Sequence, residues 1–373
     1  MTQDEVQSKT IIWLRFPLMV AVVFVHNFGA PYDVDLSGID YCDLSNMDVY
    51  NVLRTFFSFV ITKVRLPMFF LFSGFLFFYK VREWNKSVYS TKIKKRITSL
   101  IVPFLLWNII AFLLVFFEQI VQYLMKGSGI SLIGEVQEKG LLAIFWDWHS
   151  CWPGVEPFYL PFWFMKDLII ISVLSPLIYL FVKYFKHYGL IIMLIICCQN
   201  IWVVNPRIIR FDAILFFSLG AYLSLFNKNI VTECSKLCMP AMILTPILLL
   251  LFIYYYTENY LWLKYSFIIL ASICVINMVA SLVKKHDLSG MKFLSQTSFF
   301  IYAVHDLIVL RILSNITFNA MPFNKDSIEF LYFRYFTEPF LIVGICLFLY
   351  LCASRFFPKQ LNVLMGKRIV SSK

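Results

Sequence analysis

The sequence predicts an all-α, polytopic integral membrane protein with about ten transmembrane helices and both termini in the cytoplasm. Three observations carry this. Of its 373 residues 60% are hydrophobic and only 15% charged, and mean hydropathy is +0.75. Soluble domains carry about a quarter charged residues. Apolar runs of roughly membrane-crossing length recur along the whole chain, and Lys and Arg collect in alternate loops. The 40 Phe and 20 Tyr against 13 Gly and 14 Pro exclude disordered and collagen-like chains. The apolar runs fill most of the length, so the expectation is one membrane domain over 1–373.

The runs fall at about 11–29, 66–80, 99–124, 162–183, 188–204, 211–226, 240–257, 262–283, 294–314 and 334–356. The first follows Asp4 and Glu5 and lacks a small-residue cleavage site, so it reads as a retained helix and not a signal peptide. The second is short. Its aromatic approach carries Arg54, Lys63 and Arg65 and suits an interfacial helix before Pro67 turns the chain inward. Segment 127–161 holds Trp146, Trp148 and Trp152, as an interfacial or re-entrant cap would.

Orientation follows from the loops. Lys80, Arg82, Lys86, Lys92, Lys94, Lys95 and Arg96 fall on one side, with Lys183 and Lys186, Lys284, Lys285 and Lys292, and Arg355, Lys359, Lys367 and Arg368. That excess marks the cytoplasmic side. In a membrane protein the net charge of +11 therefore speaks for orientation and not for nucleic acid. The nine Cys include no C-x-x-C pair, and no metal site is indicated. On this topology Cys42 and Cys151 are the two Cys in outer loops, where thiols can oxidise, so a disulfide between them is an expectation; two free thiols are the plainer alternative.

Ionisable residues inside apolar runs are the sharpest functional signal, because a mid-membrane charge costs several kcal/mol, roughly, unless paired or wetted. Arg15 and His26 are eleven residues apart on the first helix, three turns plus about 20°, so they share a face at about 16 Å separation. The plain reading is an Arg snorkelling to the inner headgroups and an interfacial His. Two such groups on one stripe are better explained by a polar channel, and a neutral His near the outer surface suits taking a proton from a hydroxyl. Lys92, Lys94, Lys95 and Arg96 read either as positive-inside charge on anionic lipid or as a phosphate site. Ser73-Gly74 suits close helix packing. Trp163, Lys166 and Asp167 at the outer start of the fourth run suit an aromatic belt with an ion pair, or a sugar site. His305, Asp306 and Arg311 lie in the ninth run and suit a buried ion-pair network. His149, His187 and His286 receive no role.

Arg15 to His26 resembles the R-x10-H signature of the acyltransferase-3 family of membrane acyltransferases. Four further segments follow in the family's order: Pro67 to Ser73-Gly74, Lys94-Lys95-Arg96 running into Pro103 and Trp107, Trp163 to Leu168 with Ser175-Pro176, and Ser298 to Tyr302 and His305. The resemblance implies an O-acyltransferase in the cell membrane. It would take an acyl group, usually acetyl, from cytoplasmic acyl-CoA and place it on a hydroxyl of a sugar or surface polysaccharide, itself free or lipid-linked, at the outer face. His26 would be the base, Arg15 would steady the donor, and Arg96 with its lysines would hold the CoA phosphates. Ser73-Gly74 would pass the pantetheine arm, and Trp163, Lys166 and Asp167 would meet the acceptor. Acyl-CoA is a substrate in this reading, and no permanently bound cofactor is expected.

Two departures stand out. Many members have R-x-x-R where this chain has Arg96-Ile97-Thr98-Ser99, and some carry an SGNH-type domain for which the expectation here is none. The rival class is a transporter or flippase for an anionic sugar or lipid precursor, with Arg15, His26, His305 and Asp306 as a relay. No inverted repeat is visible to support it.

Overall fold

The computed structural model describes residues 1–27, 36, 39, 43–81, 83–127, 129–151, 154–201, 208–255, 260–286, 289–322, 324, 325 and 327–367; the side chains of 150, 151, 154, 289, 308, 311–315 and 317 are not among those described. The protein is an all-α membrane protein. Its helices are α1 (Gln3–His26), α2 (Asn46–Thr55), α3 (Arg65–Phe78), α4 (Lys86–Arg96), α5 (Val102–Lys126), α6 (Ser131–Lys139), α7 (Ala143–Trp146), α8 (Trp163–Val173) and α9 (Ser175–Cys198). There follow α10 (Phe211–Leu225), α11 (Ile230–Lys236), α12 (Cys238–Tyr254), α13 (Leu261–Lys285), α14 (Ser289–Val304), α15 (Asn315–Asn319), α16 (Ile328–Phe356) and α17 (Pro358–Leu364). One antiparallel hairpin, β1 (His149–Cys151) with β2 (Gly154–Glu156), sits in the segment between α7 and α8.

Six helical runs among the described residues are long and apolar enough to cross a membrane: Gln3–His26, Asn46–Phe78, Lys86–Lys126, Ser175–Cys198, Leu261–Lys285 and Ile328–Phe356. A seventh would be α10 with α11, a pair bent by 103°. Each of the ten apolar runs contains helix, and the difference in count has local causes. Runs four and five meet inside α9 at Lys186, whose φ of 49° and ψ of −135° break the helix there. The helices α10 and α12 have 15 and 17 residues, about 22–26 Å against a hydrocarbon core of about 30 Å. Run nine passes from α14 into a π-helical stretch, His305–Ser314.

The chain packs as two compact units. The first comprises Met1–Arg82, Phe181–Ile201 and Leu215–Leu351, the second Glu83–Leu180, Trp202–Ile214 and Cys352–Lys373. Both are assembled from segments distant in sequence, so neither is a domain joined on by a single linker.

In the first unit α1 is central. It starts at a reciprocal capping box, where the Thr2 side chain accepts from Glu5 N and the Glu5 carboxylate accepts from Thr2 N. It packs against α3, α13 and α14, burying Leu14 and Leu18 among Val60, Met68, Phe72, Phe267 and Val279. The helices α3 and α10 cross at closest range: a Cβ on Gly74 would overlap the carbonyl of Phe217, and one on Gly220 the carbonyl of Leu71. Only glycine permits that approach. Side chains such as Leu250 on α12 and Phe348 on α16 are more than 60% exposed, the pattern of a lipid-facing surface.

In the second unit α5 carries the packing. Trp107 Nε1 donates to Leu364 O at 3.2 Å beside α17, and Phe104 stacks on Phe162. The fully buried Asn108 donates to Phe104 O and accepts from Tyr159 N at 3.0 Å, which ties the approach to α8 onto α5. Gly127, at φ 68°, ends α5 in the left-handed conformation that glycine adopts without cost.

Candidate functional site

The last residue of α1 is His26, and Arg15 stands three turns before it on the same helix. The His26 end of α1 is held by two neighbours. Just beyond α2 the helix widens into a π turn, Phe56–Val60, and tightens into a 3₁₀ turn, Ile61–Val64. Ser58 in the π turn donates to Phe24 O at 2.8 Å and pairs with the Tyr335 hydroxyl at 2.8 Å. Tyr335 on α16 accepts from Asn27 Nδ2 through its carbonyl at 3.0 Å, and its hydroxyl reaches Arg54 O at 3.1 Å. Residues on both sides of His26, Phe24 and Asn27, are thus fixed. Such support is what a side chain that must hold one geometry requires.

Across from His26 lies His305, with ring centroids 4.9 Å apart and planes at 67°. His305 is fully buried and opens the π-helical stretch after α14. Its Nδ1 lies 3.1 Å from Ile301 O and 2.9 Å from Tyr302 O. Its Nε2 is buried and has no hydrogen-bond partner among the described residues. The sequence reading grouped His305 with Asp306 and Arg311. Asp306 is buried beside His305 and close enough for its charge to act on it, the Arg311 side chain lies outside the described residues, and the packing also brings His305 to His26 on a different helix. Arg65, at the start of α3, is close enough for its charge to act on His26, and it donates through Nη1 to Thr62 O at 2.9 Å. Sequence reasoning placed Arg65 only at the interface, and Ser58 and Tyr335 not at all. A polar residue and a cation just before Pro67 were the available signal.

Gly74 is taken up by the crossing with Phe217, so helix packing accounts for the glycine. Ser73 beside it is half-buried.

The second unit holds the other two groups. Trp163, Lys166 and Asp167 on α8 meet two residues the sequence reading passed over, Glu156 on β2 and Arg210 just before α10. Arg210 Nη2 donates to Glu156 Oε1 at 2.7 Å, and its guanidinium carbon lies 3.3 Å from the Trp163 ring centroid. Lys166 donates to Val155 O and stands 4.0 Å from Glu156 Oε2. Glu156, Lys166 and Asp167 are all buried. Burial pushes the Glu156 carboxyl above the usual carboxylate range, against the opposing pull of Arg210 and Lys166. On α4, Lys92 and Arg96 share one face one turn apart and are half-buried, while Lys94 and Lys95 point into the surroundings. No residue of α4 is buried.

Of the expected disulfide, Cys42 and the Cys151 side chain lie outside the described residues.

The family model of the Acyl_transf_3 acyltransferase domain matches residues 9–357. The chain belongs to the acyltransferase-3 family. Its match spans nearly the whole chain and takes in both units, so the membrane helices themselves form the acyltransferase domain. Among relatives, the succinoglycan biosynthesis protein ExoH of Rhizobium meliloti (strain 1021) is 26% identical over 372 residues, covering 97% of this chain and 92% of its own. No solved structure matches significantly. Within the residues matched by that family, Arg15 and His26 lie on one helix three turns apart, and His26 faces His305.

Proposed function

We propose that this membrane acyltransferase moves an acyl group, in the usual case acetyl, from cytoplasmic acyl-CoA to a sugar hydroxyl of a surface polysaccharide or its lipid-linked precursor at the outer face of the cell membrane. The observation that carries the reading is His26, an imidazole at the anchored end of α1, on one stripe with Arg15. The separation of the two, about 16 Å, is on the scale of an extended pantetheine arm. A relative named for succinoglycan biosynthesis supports a polysaccharide acceptor. Ten crossings with both termini inside remain the proposed topology, since the basic loops call for it.

In the proposed reaction His26 takes the proton of the acceptor hydroxyl as its oxygen attacks the thioester carbonyl. The C–O bond forms, the C–S bond breaks, and the proton passes from His26 to the leaving thiolate. Direct transfer needs no further nucleophile. Arg15 steadies the donor, and Lys92, Lys94, Lys95 and Arg96 bind its phosphates, with Arg96 suited to bidentate contact. Ser73 is kept as a contact for the arm. At the acceptor, Trp163 offers an aromatic face and Lys166 and Asp167 hydrogen-bonding groups, Lys166 also holding the hairpin through Val155 O.

The experiment is mass spectrometry of surface polysaccharide from cells with and without the gene. An acyl mass increment lost on deletion and restored by the wild-type gene is expected. Identical polysaccharides, with sugar export lost instead, would transfer the reading to a transporter.

A further inference from the structure

The Nδ1 atom of His305 faces two carbonyl oxygens, of Ile301 and Tyr302. Carbonyls only accept, so Nδ1 carries the proton and donates to them. The neutral ring then has its lone pair on Nε2. That atom is fully buried, with no hydrogen-bond partner among the described residues. A buried acceptor left unmatched is destabilising, so a donor is expected to serve it at some stage of function. The ring facing it is His26, on a different helix, with centroids 4.9 Å apart and planes at 67°, a centroid separation on the scale of two imidazoles joined by an N–H to N hydrogen bond.

We propose that His305 is the positioning partner of His26, its Nε2 accepting a hydrogen bond from the ring nitrogen of His26 that is not engaged with substrate. This rests on the reading of His26 as base. The contact would select the His26 tautomer whose free lone pair points to the acceptor hydroxyl, and it would stabilise the imidazolium once His26 holds the proton. This is the role that a carboxylate plays beside the base of a hydrolytic triad. Inside a membrane protein a neutral imidazole fills it without a buried negative charge. His305 itself neither gains nor loses a proton: its Nδ1–H stays on the carbonyls throughout.

The α14 helix fixes the tautomer by its own backbone, and the change to a wider helix begins at His305 itself. Among the described residues, the charged and titratable groups that act on or touch the pair are Asp306 beside His305, Tyr302 on α14, whose ring stacks on His305 with centroids 6.4 Å apart, and Arg65 on α3.

The test compares wild type, His26→Ala, His305→Leu and His305→Gln in membranes of a deletion strain at matched abundance of monodisperse protein. The readout is transfer of label from acetyl-CoA, with other acyl-CoAs in parallel, to the polysaccharide extracted from that strain. Leu fills the volume with no acceptor, whereas the Gln amide oxygen stands in for Nε2. His305→Leu is expected to lower kcat about 10²-fold with little change in KM for acyl-CoA. It should also move the acid limb of the kcat/KM profile to lower pH, because His26 loses the acceptor that favours its protonated form. His305→Gln should recover at least a tenth of wild-type kcat. A His305→Leu rate within threefold of wild type, an unmoved acid limb, or equal losses in the Leu and Gln variants would each overturn the pairing. Inactive His26→Ala alongside any of those outcomes leaves the base assignment standing, whereas active His26→Ala removes the base assignment itself.

Discussion

The guanidinium of Arg210 grips Glu156 and Trp163 at once, with Nη2 2.7 Å from Glu156 Oε1 and its central carbon 3.3 Å from the Trp163 ring centroid. Arg210→Ala removes both contacts and leaves a buried carboxylate with Lys166 at 4.0 Å as its remaining cation. The expected loss is about 1–3 kcal/mol in detergent, read from thermal or denaturant unfolding by tryptophan fluorescence. An unchanged midpoint would show that the cluster adds nothing to the fold.

The same carboxyl sets a pH dependence. Burial raises the Glu156 pKa above that of the unfolded chain. Between the two values the native state holds a proton the unfolded state has released, so Glu156 contributes a stability that falls as pH rises through this window. Glu156→Gln should flatten that slope in a pH series of unfolding midpoints. A steeper slope in the variant would contradict the sign.

Helix crossing at Gly74 and Gly220 gives a prediction with an internal control. Gly74→Ala and Gly220→Ala each place a methyl against backbone that cannot yield cheaply, and each should cost about 1–3 kcal/mol. Their effects should not add, since both force apart the same two helices. Gly344 on α16 has nothing near its missing Cβ, so Gly344→Ala should be neutral or gain up to about 1 kcal/mol of helix propensity. Equal effects in all three would remove the crossing as the reason for the glycines.

Topology can be read by single-cysteine labelling in a chain with its native Cys replaced. Gln137→Cys on α6 should react with a membrane-impermeant maleimide on intact cells, and Thr91→Cys on α4 only after permeabilisation; both positions are exposed. The reverse pattern would invert the chain and place His26 on the cytoplasmic side.

The periodic and compositional features of this chain were legible because they are local. Apolar runs, the Arg15–His26 stripe and the basic end of α4 depend on spacing along one helix; each run contains helix, though not each as a separate span, and Arg15, His26 and the α4 bases lie on the helices expected. The break at Lys186 was not legible, since a Lys between two apolar runs reads equally as a loop or a turn. Contacts between helices were illegible for a deeper reason. Nothing in the spacing of His305 indicates that its ring lies beside a residue 279 positions earlier, and Glu156 and Arg210 meet only because β2 and the start of α10 fold together. Gly74 was half-legible: a small residue among Phe announces a close approach without saying whether backbone or ligand fills it.

The most direct test of base catalysis at His26 is the initial rate of acyl transfer from labelled acyl-CoA to the strain's own polysaccharide by His26→Ala, beside Arg15→Lys and Arg15→Ala, at matched abundance. His26→Ala is predicted to insert and fold normally yet lose about 10²–10⁴-fold in kcat. Arg15→Ala should chiefly raise KM for acyl-CoA, and Arg15→Lys should fall between it and wild type. Transfer at the wild-type rate by His26→Ala would contradict the account.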